Sequence, residues 1–207
     1  MMRLPASMLR VATYYTNMNL PNFLTISRII AIPFLIVALS YHYTGSALII
    51  FVACGITDGL DGFIARTFHQ RTKIGAYLDP LADKLLLTST FITLTILHLP
   101  NQLPLWLIIT VISRDVIISG GIAVLFMLGT EVQIQPTQIG KFTTFIQLTL
   151  IVVVLYYNYR GVTQADIIQP LSWLTFIISV ASGLGYVYQG VQILNATDQG
   201  MNPPANT

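Results

Sequence analysis

Charge is what this chain has least of. Only 9% of its 207 residues are Asp, Glu, Lys or Arg, against roughly a quarter in a soluble domain. So few charges cannot clothe a water-exposed surface, which excludes an ordinary soluble enzyme. With 54% hydrophobic residues a disordered chain is excluded as well. Cysteine occurs once, at Cys54, so there is no internal disulfide framework. The net charge of +2 is small and its basic residues are scattered, so nucleic acid is not an expected partner. P-loop and EF-hand patterns are both missing, and no internal repeat of the transporter kind stands out.

What the chain does have is long uncharged stretches. Residues 29–57, 85–113 and 167–197 carry no charge, and each exceeds the ~20 apolar residues that cross a bilayer. The mean hydropathy is +0.71. Hydrophobic runs set against Gly, Pro and charged breakers give six candidate spans, at 23–43, 46–66, 76–98, 104–128, 138–157 and 170–194. Runs of this length are too long for barrel strands. The expected fold is therefore all-α, a polytopic membrane protein with six transmembrane helices.

Ahead of the first span, Leu4, Met8, Val11 and Tyr15 recur at helical spacing beside Arg3 and Arg10. This predicts a short N-terminal interfacial helix. The organisation expected is a juxtamembrane segment at 1–19, a transmembrane domain at 20–195 and a polar tail at 196–207. Arg3, Arg10, Arg66, Arg71, Lys73 and Lys141 then gather on one side, and the opposite connections carry only Arg160. The positive-inside rule places the first set, and the N-terminus, in the cytoplasm.

Half of the eight side-chain carboxylates fall in one stretch, Thr57 to Lys84. Asp58 and Asp61 are three apart near the end of the second span; Asp79 and Asp83 are four apart near the start of the third. Each spacing puts its pair on one helical face. A short connection makes the two spans antiparallel neighbours, so all four carboxylates can converge. Converging carboxylates repel, and removing them from water is costly. Arg66 and Lys84 would neutralise part of this charge. Hard divalent cations, Mg²⁺ or Mn²⁺, suit an all-oxygen donor set better. Four carboxylates on facing helices are the inventory for two metals ~4 Å apart, as in phosphoryl-transfer sites. Helix glue by Asp–Arg or Asp–Lys pairing accounts for one intramembrane Asp more readily than for four. Gly59, Gly62 and Gly75 clear side chains from the helix surface, so a phosphate can approach the backbone.

Asp58, Asp61, Gly62, Ala65, Arg66, Gly75, Asp79 and Asp83 spell D-x2-D-G-x2-A-R-x8-G-x3-D-x3-D. This resembles the signature of the CDP-alcohol phosphatidyltransferases. The opening Leu20-Pro21-Asn22-Phe23-Leu24-Thr25-Ile26-Ser27-Arg28 is similar to that of bacterial members using glycerol 3-phosphate. The resemblance implies that Asp58, Asp61, Asp79 and Asp83 bind two Mg²⁺ ions, replaceable by Mn²⁺, which grip the pyrophosphate of CDP-diacylglycerol. It implies that Asp83 is also the general base toward the acceptor hydroxyl. Gly62 and Arg66 would contact the CDP portion, Thr72 would add a hydroxyl, and Asn22 and Thr25 would help to hold the nucleotide. It implies further a homodimer in the bacterial inner membrane, with the site facing the cytoplasm.

The acceptor expected is sn-glycerol 3-phosphate, with Arg114 and Lys141 as a basic pocket for its phosphate. Arg114-Asp115 is equally readable as a mutually neutralising pair. Ser113-Arg114-Asp115-Val116 looks equally like CMP-forming members that take phosphatidylglycerol and make cardiolipin, and that alternative stays open. An intramembrane Asp-rich prenyltransferase is more distant, lacking the D-G-x2-A-R-x8-G frame. A cation carrier or channel is the rival from another class, but a transport pathway has no use for Arg66 beside its acidic site. Cys54 reads as a small core residue, and Trp106, Trp173, Tyr41, Tyr43, Tyr156, Tyr157 and Tyr159 as an interfacial aromatic belt. Ser119-Gly120-Gly121 and Ala181-Ser182-Gly183-Leu184-Gly185 read as close-packing surfaces within the chain.

Overall fold

The computed structural model describes the backbone of residues 20–67, 73–127 and 138–198, and the side chains of 25–59, 80–121 and 138–193. The described residues form six α-helices: α1 (Leu20–Ser40), α2 (Thr44–Thr67), α3 (Lys73–Ile96), α4 (Leu105–Met127), α5 (Gln138–Arg160) and α6 (Ala165–Asp198). The all-α expectation is met, with one helix per candidate span. The interfacial helix expected within residues 1–19 and most of the polar tail lie outside the described residues.

The helix bounds differ from the candidate spans by a few residues, most at the start of α6. α1 starts at Leu20 with Pro21 just inside, where the missing N–H costs nothing. α6 begins at Ala165, five residues before Pro170; the apolar run starts at Pro170, but the helix does not. Pro80 lies within α3, directly after Asp79, as it does in the candidate span. Proline inside a helix removes one backbone hydrogen bond, and neighbouring helices can compensate for it.

α1 packs on α2 and α3, α2 also on α5, and α6 joins α4 to α5. Leu35 and Leu39 of α1, Phe51 of α2, Phe91 and Leu94 of α3, Leu107 and Val111 of α4 and Leu150 to Leu155 of α5 form the shared core. Cys54 is buried in it, as its expected role requires. The outside is apolar too: Phe34, Ile49, Ile109, Phe145, Ile177 and Leu184 are all more than half exposed. A surface so rich in large aliphatic and aromatic side chains is costly in water and at home in lipid. Among the described residues, α5 and the segment Ala165–Ile193 of α6 are long and apolar enough to cross a bilayer, and Thr25–Ser40 and Thr44–Gly59 are shorter apolar helices.

A polar clamp that the sequence reading passed over closes the end opposite the acidic residues. Asn101, between α3 and α4, donates its backbone N–H to Asn158 Oδ1 at 2.9 Å and its side-chain amide to the Val162 carbonyl at 2.9 Å. Asn158 Nδ2 donates back to the Asn101 carbonyl at 3.0 Å, and the Gln164 N–H donates to Asn101 Oδ1 at 2.9 Å. Both asparagines are buried. Gly161 takes φ +64° just after α5, the left-handed turn that ends the helix and brings Val162 and Gln164 within reach. Trp106 stacks on Trp173 at 4.7 Å at this end. Tyr41, Tyr43, Tyr156 and Tyr159 are exposed there as well, in keeping with an aromatic belt.

Candidate active site

The antiparallel run of α1, α2 and α3 brings the first half of α1, the last turns of α2 and the first turns of α3 to the same end. Asp58 comes from α2 and Asp83 from α3, and between them lies a residue of α1, Arg28. Its Nη1 is 3.0 Å from Asp58 Oδ1 and 2.5 Å from Asp83 Oδ1. The guanidinium is buried, its side chain only 1% exposed, whereas the two carboxylates keep 46% and 39% of their surface open. Arg28 is thus the floor of the site and the carboxylates face outward. Thr25, one turn earlier on α1, is fully buried.

The backbone of Asp61, Gly62 and Arg66 lies in the last two turns of α2 and that of Asp79 in the second turn of α3; their side chains are outside the described set. Asn22 lies in the first turn of α1, also without a described side chain, and Thr72 is outside the described residues. Of the four expected ligands the structure therefore brings Asp58 and Asp83 together. Their chemistry fits a hard divalent cation. One nitrogen of Arg28 touches both, so the two carboxylates are close enough to share a single cationic partner, and both are oxygen donors.

The counter-charge differs from expectation at one residue. Lys84 does not turn toward the acidic pair. Helix geometry sends it to a different face of α3, where Nζ donates to Ser119 Oγ of α4 at 3.1 Å and lies 3.9 Å from Asp115 Oδ1. Sequence adjacency to Asp83 was misleading, because neighbours on a helix point about 100° apart. Arg28 was missed because nothing local links position 28 to 58 or 83. The one available signal was a lone arginine beside a long apolar run, which must find an acidic partner.

Arg114 donates from Nη1 to Asp115 Oδ1 at 2.7 Å and from Nη2 to Ser182 Oγ of α6 at 3.0 Å. Its side chain is 11% exposed, and its Nε is buried without a hydrogen-bond partner among the described residues. Gly183 packs on the Arg114 Cγ, at 3.5 Å from where a Cβ would stand. Gly120 and Gly121, by contrast, face open space among the described residues, so the glycines of the Ser119-Gly120-Gly121 stretch pack on nothing in the described chain. Lys141 is exposed in the first turn of α5. Among the described residues α4 and α5 do not pack on each other, and no contact joins Lys141 to Arg114.

Residues 18–184 match the family model described as CDP-alcohol phosphatidyltransferase. The chain is 35% identical over 177 residues to a CDP-diacylglycerol--glycerol-3-phosphate 3-phosphatidyltransferase of Haemophilus influenzae, covering 82% of this chain and 91% of that protein. It is also 35% identical over 188 residues to a probable CMP-forming cardiolipin synthase of Drosophila melanogaster, covering 82% of this chain and 57% of that one. A fusion of CMP-forming cardiolipin synthase with a mitochondrial hydrolase in Schizosaccharomyces pombe is 32% identical over 184 residues; the match covers 81% of this chain but only 30% of the fusion. Members of the family are generally metal-dependent, as the paired carboxylates would lead one to expect. With its apolar exterior and its Asp-bearing helices, this chain is a membrane protein and a phospholipid-synthesising transferase; it belongs to the CDP-alcohol phosphatidyltransferase family.

Proposed function

We propose that the protein moves a phosphatidyl group from CDP-diacylglycerol to sn-glycerol 3-phosphate, giving phosphatidylglycerophosphate and CMP. The observation that carries the reading is the pairing of Asp58 and Asp83 across α2 and α3, open on one side and closed by Arg28 on the other. Asp83 takes the proton of the acceptor hydroxyl as its oxygen attacks the phosphorus that bears diacylglycerol. A new P–O bond forms there, and the P–O bond to CMP breaks. Two Mg²⁺ ions held by Asp58, Asp61, Asp79 and Asp83 would neutralise the pyrophosphate and the charge on departing CMP. Gly62 leaves room for the nucleotide on α2, Arg66 contacts the CDP portion, Thr72 adds a hydroxyl contact, and Asn22 approaches it from α1, with the fully buried Thr25 one turn behind it.

All six helices span the membrane in this reading, with the acidic end facing the cytoplasm of a bacterium, where the nucleotide and glycerol 3-phosphate are dissolved. Glycerol 3-phosphate is favoured as acceptor by relatives such as the Haemophilus protein, which this chain matches over nearly their whole length. Arg114 and Lys141 provide the charge its phosphate needs. Phosphatidylglycerol is the second reading, favoured by the equal identity to the Drosophila cardiolipin synthase.

Purified protein given CDP-diacylglycerol, Mg²⁺ and equal amounts of the two acceptors decides between them. Phosphatidylglycerophosphate as the main lipid product supports the first reading. Cardiolipin, with glycerol 3-phosphate untouched, replaces it with the second.

A further inference from the structure

Two carboxylates on different helices, brought within reach of one atom, repel each other before any ligand arrives. In this chain the cation between them belongs to the protein. Arg28 is buried in the apolar floor where α1 packs on α2 and α3, and its Nη1 touches Asp58 and Asp83 together. Arg66 is on the same helix as Asp58 but two turns further on, and Lys84 is engaged with Ser119 and Asp115 on α4.

We infer that Arg28 is the resident counter-cation of the acidic site, a positioning residue that holds Asp58 and Asp83 at their spacing and sets how tightly the site binds divalent metal. The inference rests on the metal-site reading given above. Its physics is a balance of two effects. The guanidinium relieves carboxylate repulsion and ties α1 to the ends of α2 and α3. As a fixed positive charge next to the same oxygens, it also lowers the affinity for any added cation. Because the carboxylates remain open on the side away from Arg28, a metal approaches from that side and meets a partly neutralised pair.

The two effects give a signature that a packing role does not. Removing a side chain that merely fills space loosens the site and weakens metal binding. Removing a counter-cation leaves the carboxylates more negative and strengthens it. The test is a calorimetric titration of Mn²⁺ into the purified full-length chain in detergent micelles, without substrate, for wild type, Arg28→Met and Arg28→Lys. Arg28→Met should bind Mn²⁺ roughly tenfold tighter or more. Arg28→Lys, which keeps the charge, should stay near wild type. In chelator, Arg28→Met should melt lower than wild type, and saturating Mn²⁺ should close most of that gap.

Folded Arg28→Met that binds Mn²⁺ no tighter than wild type overturns the inference. If Arg28→Met is recovered only unfolded, the double variant Arg28→Met/Asp58→Asn becomes the readout. Recovery of folded protein supports charge balance as the role of Arg28, and continued unfolding refutes it. A wild type that binds no Mn²⁺ overturns the metal site itself and the inference with it. That failure is recognisable because the unmutated protein is then silent.

Discussion

At the level of single residues the site rests on four aspartates, and their roles separate by substitution. Asp58→Asn, Asp61→Asn, Asp79→Asn and Asp83→Asn should each lose most transferase activity while the protein still inserts and folds, because losing one ligand misplaces both ions. Near-normal turnover by folded Asp58→Asn, Asp61→Asn or Asp79→Asn contradicts a shared two-metal site. Asp83→Asn should retain CDP-diacylglycerol binding best, since it alone carries the added base role; equally complete loss of binding removes that role. Arg114→Ala and Lys141→Ala should raise the KM for glycerol 3-phosphate and spare that for CDP-diacylglycerol. A lost charge-assisted contact of ~1.5–3 kcal/mol corresponds to roughly 10- to 150-fold. Unchanged KM values in both variants put the phosphate pocket elsewhere.

These residues differ in how far the sequence reveals them. The aspartates are legible because their spacings of three and four state a shared helical face without any knowledge of tertiary structure. Arg28 is separated from Asp83 by 55 positions, and no periodicity spans such a distance. Lys84 looked like a partner of Asp83 through adjacency alone, and the helix turned it away. Local spacing informs about one helix, whereas counter-charges come from whichever helix packs alongside.

Among the elements, the six helices follow from long apolar runs set against breakers, and the largest shift of a bound is in α6, which starts five residues before Pro170. The feature with most consequence for stability is one that hydropathy cannot see. Asn101 and Asn158 exchange three hydrogen bonds, at 2.9, 3.3 and 3.0 Å, and sew the α3–α4 connection to the end of α5. In the sequence Asn101 is merely one of several polar residues in a breaker. Asn158→Ala leaves buried polar groups of Asn101 without partners, which costs ~1–3 kcal/mol. It should lower the melting temperature in detergent micelles without changing the KM for either substrate. The double variant with Asn101→Ala should cost less than the sum of the two, because they share one network. Strict additivity would show that the clamp is not a unit.

For the molecule as a whole, the account requires the acidic end and the asparagine clamp to face opposite sides of the membrane. Cysteines placed singly at position 72 and at the exposed position 102, beside the clamp, should be labelled from opposite sides by an impermeant thiol reagent, with position 72 on the cytoplasmic side. The reverse pattern inverts the topology. Membrane residence and family membership both follow from the scarcity of charge and from where the few carboxylates sit. The acceptor is less legible, because it depends on how Arg114, on α4, and Lys141, on α5, are brought to a common ligand, and those two helices do not pack on each other in the described structure.

The central claim is metal-dependent phosphatidyl transfer at the carboxylates of α2 and α3. The most direct measurement is CMP release by purified protein supplied with CDP-diacylglycerol and glycerol 3-phosphate, first with Mg²⁺ and then with excess chelator. The expected result is rapid release with Mg²⁺ or Mn²⁺, poor release with the larger Ca²⁺, and none in chelator until Mg²⁺ is restored. Undiminished CMP release in excess chelator would contradict the account.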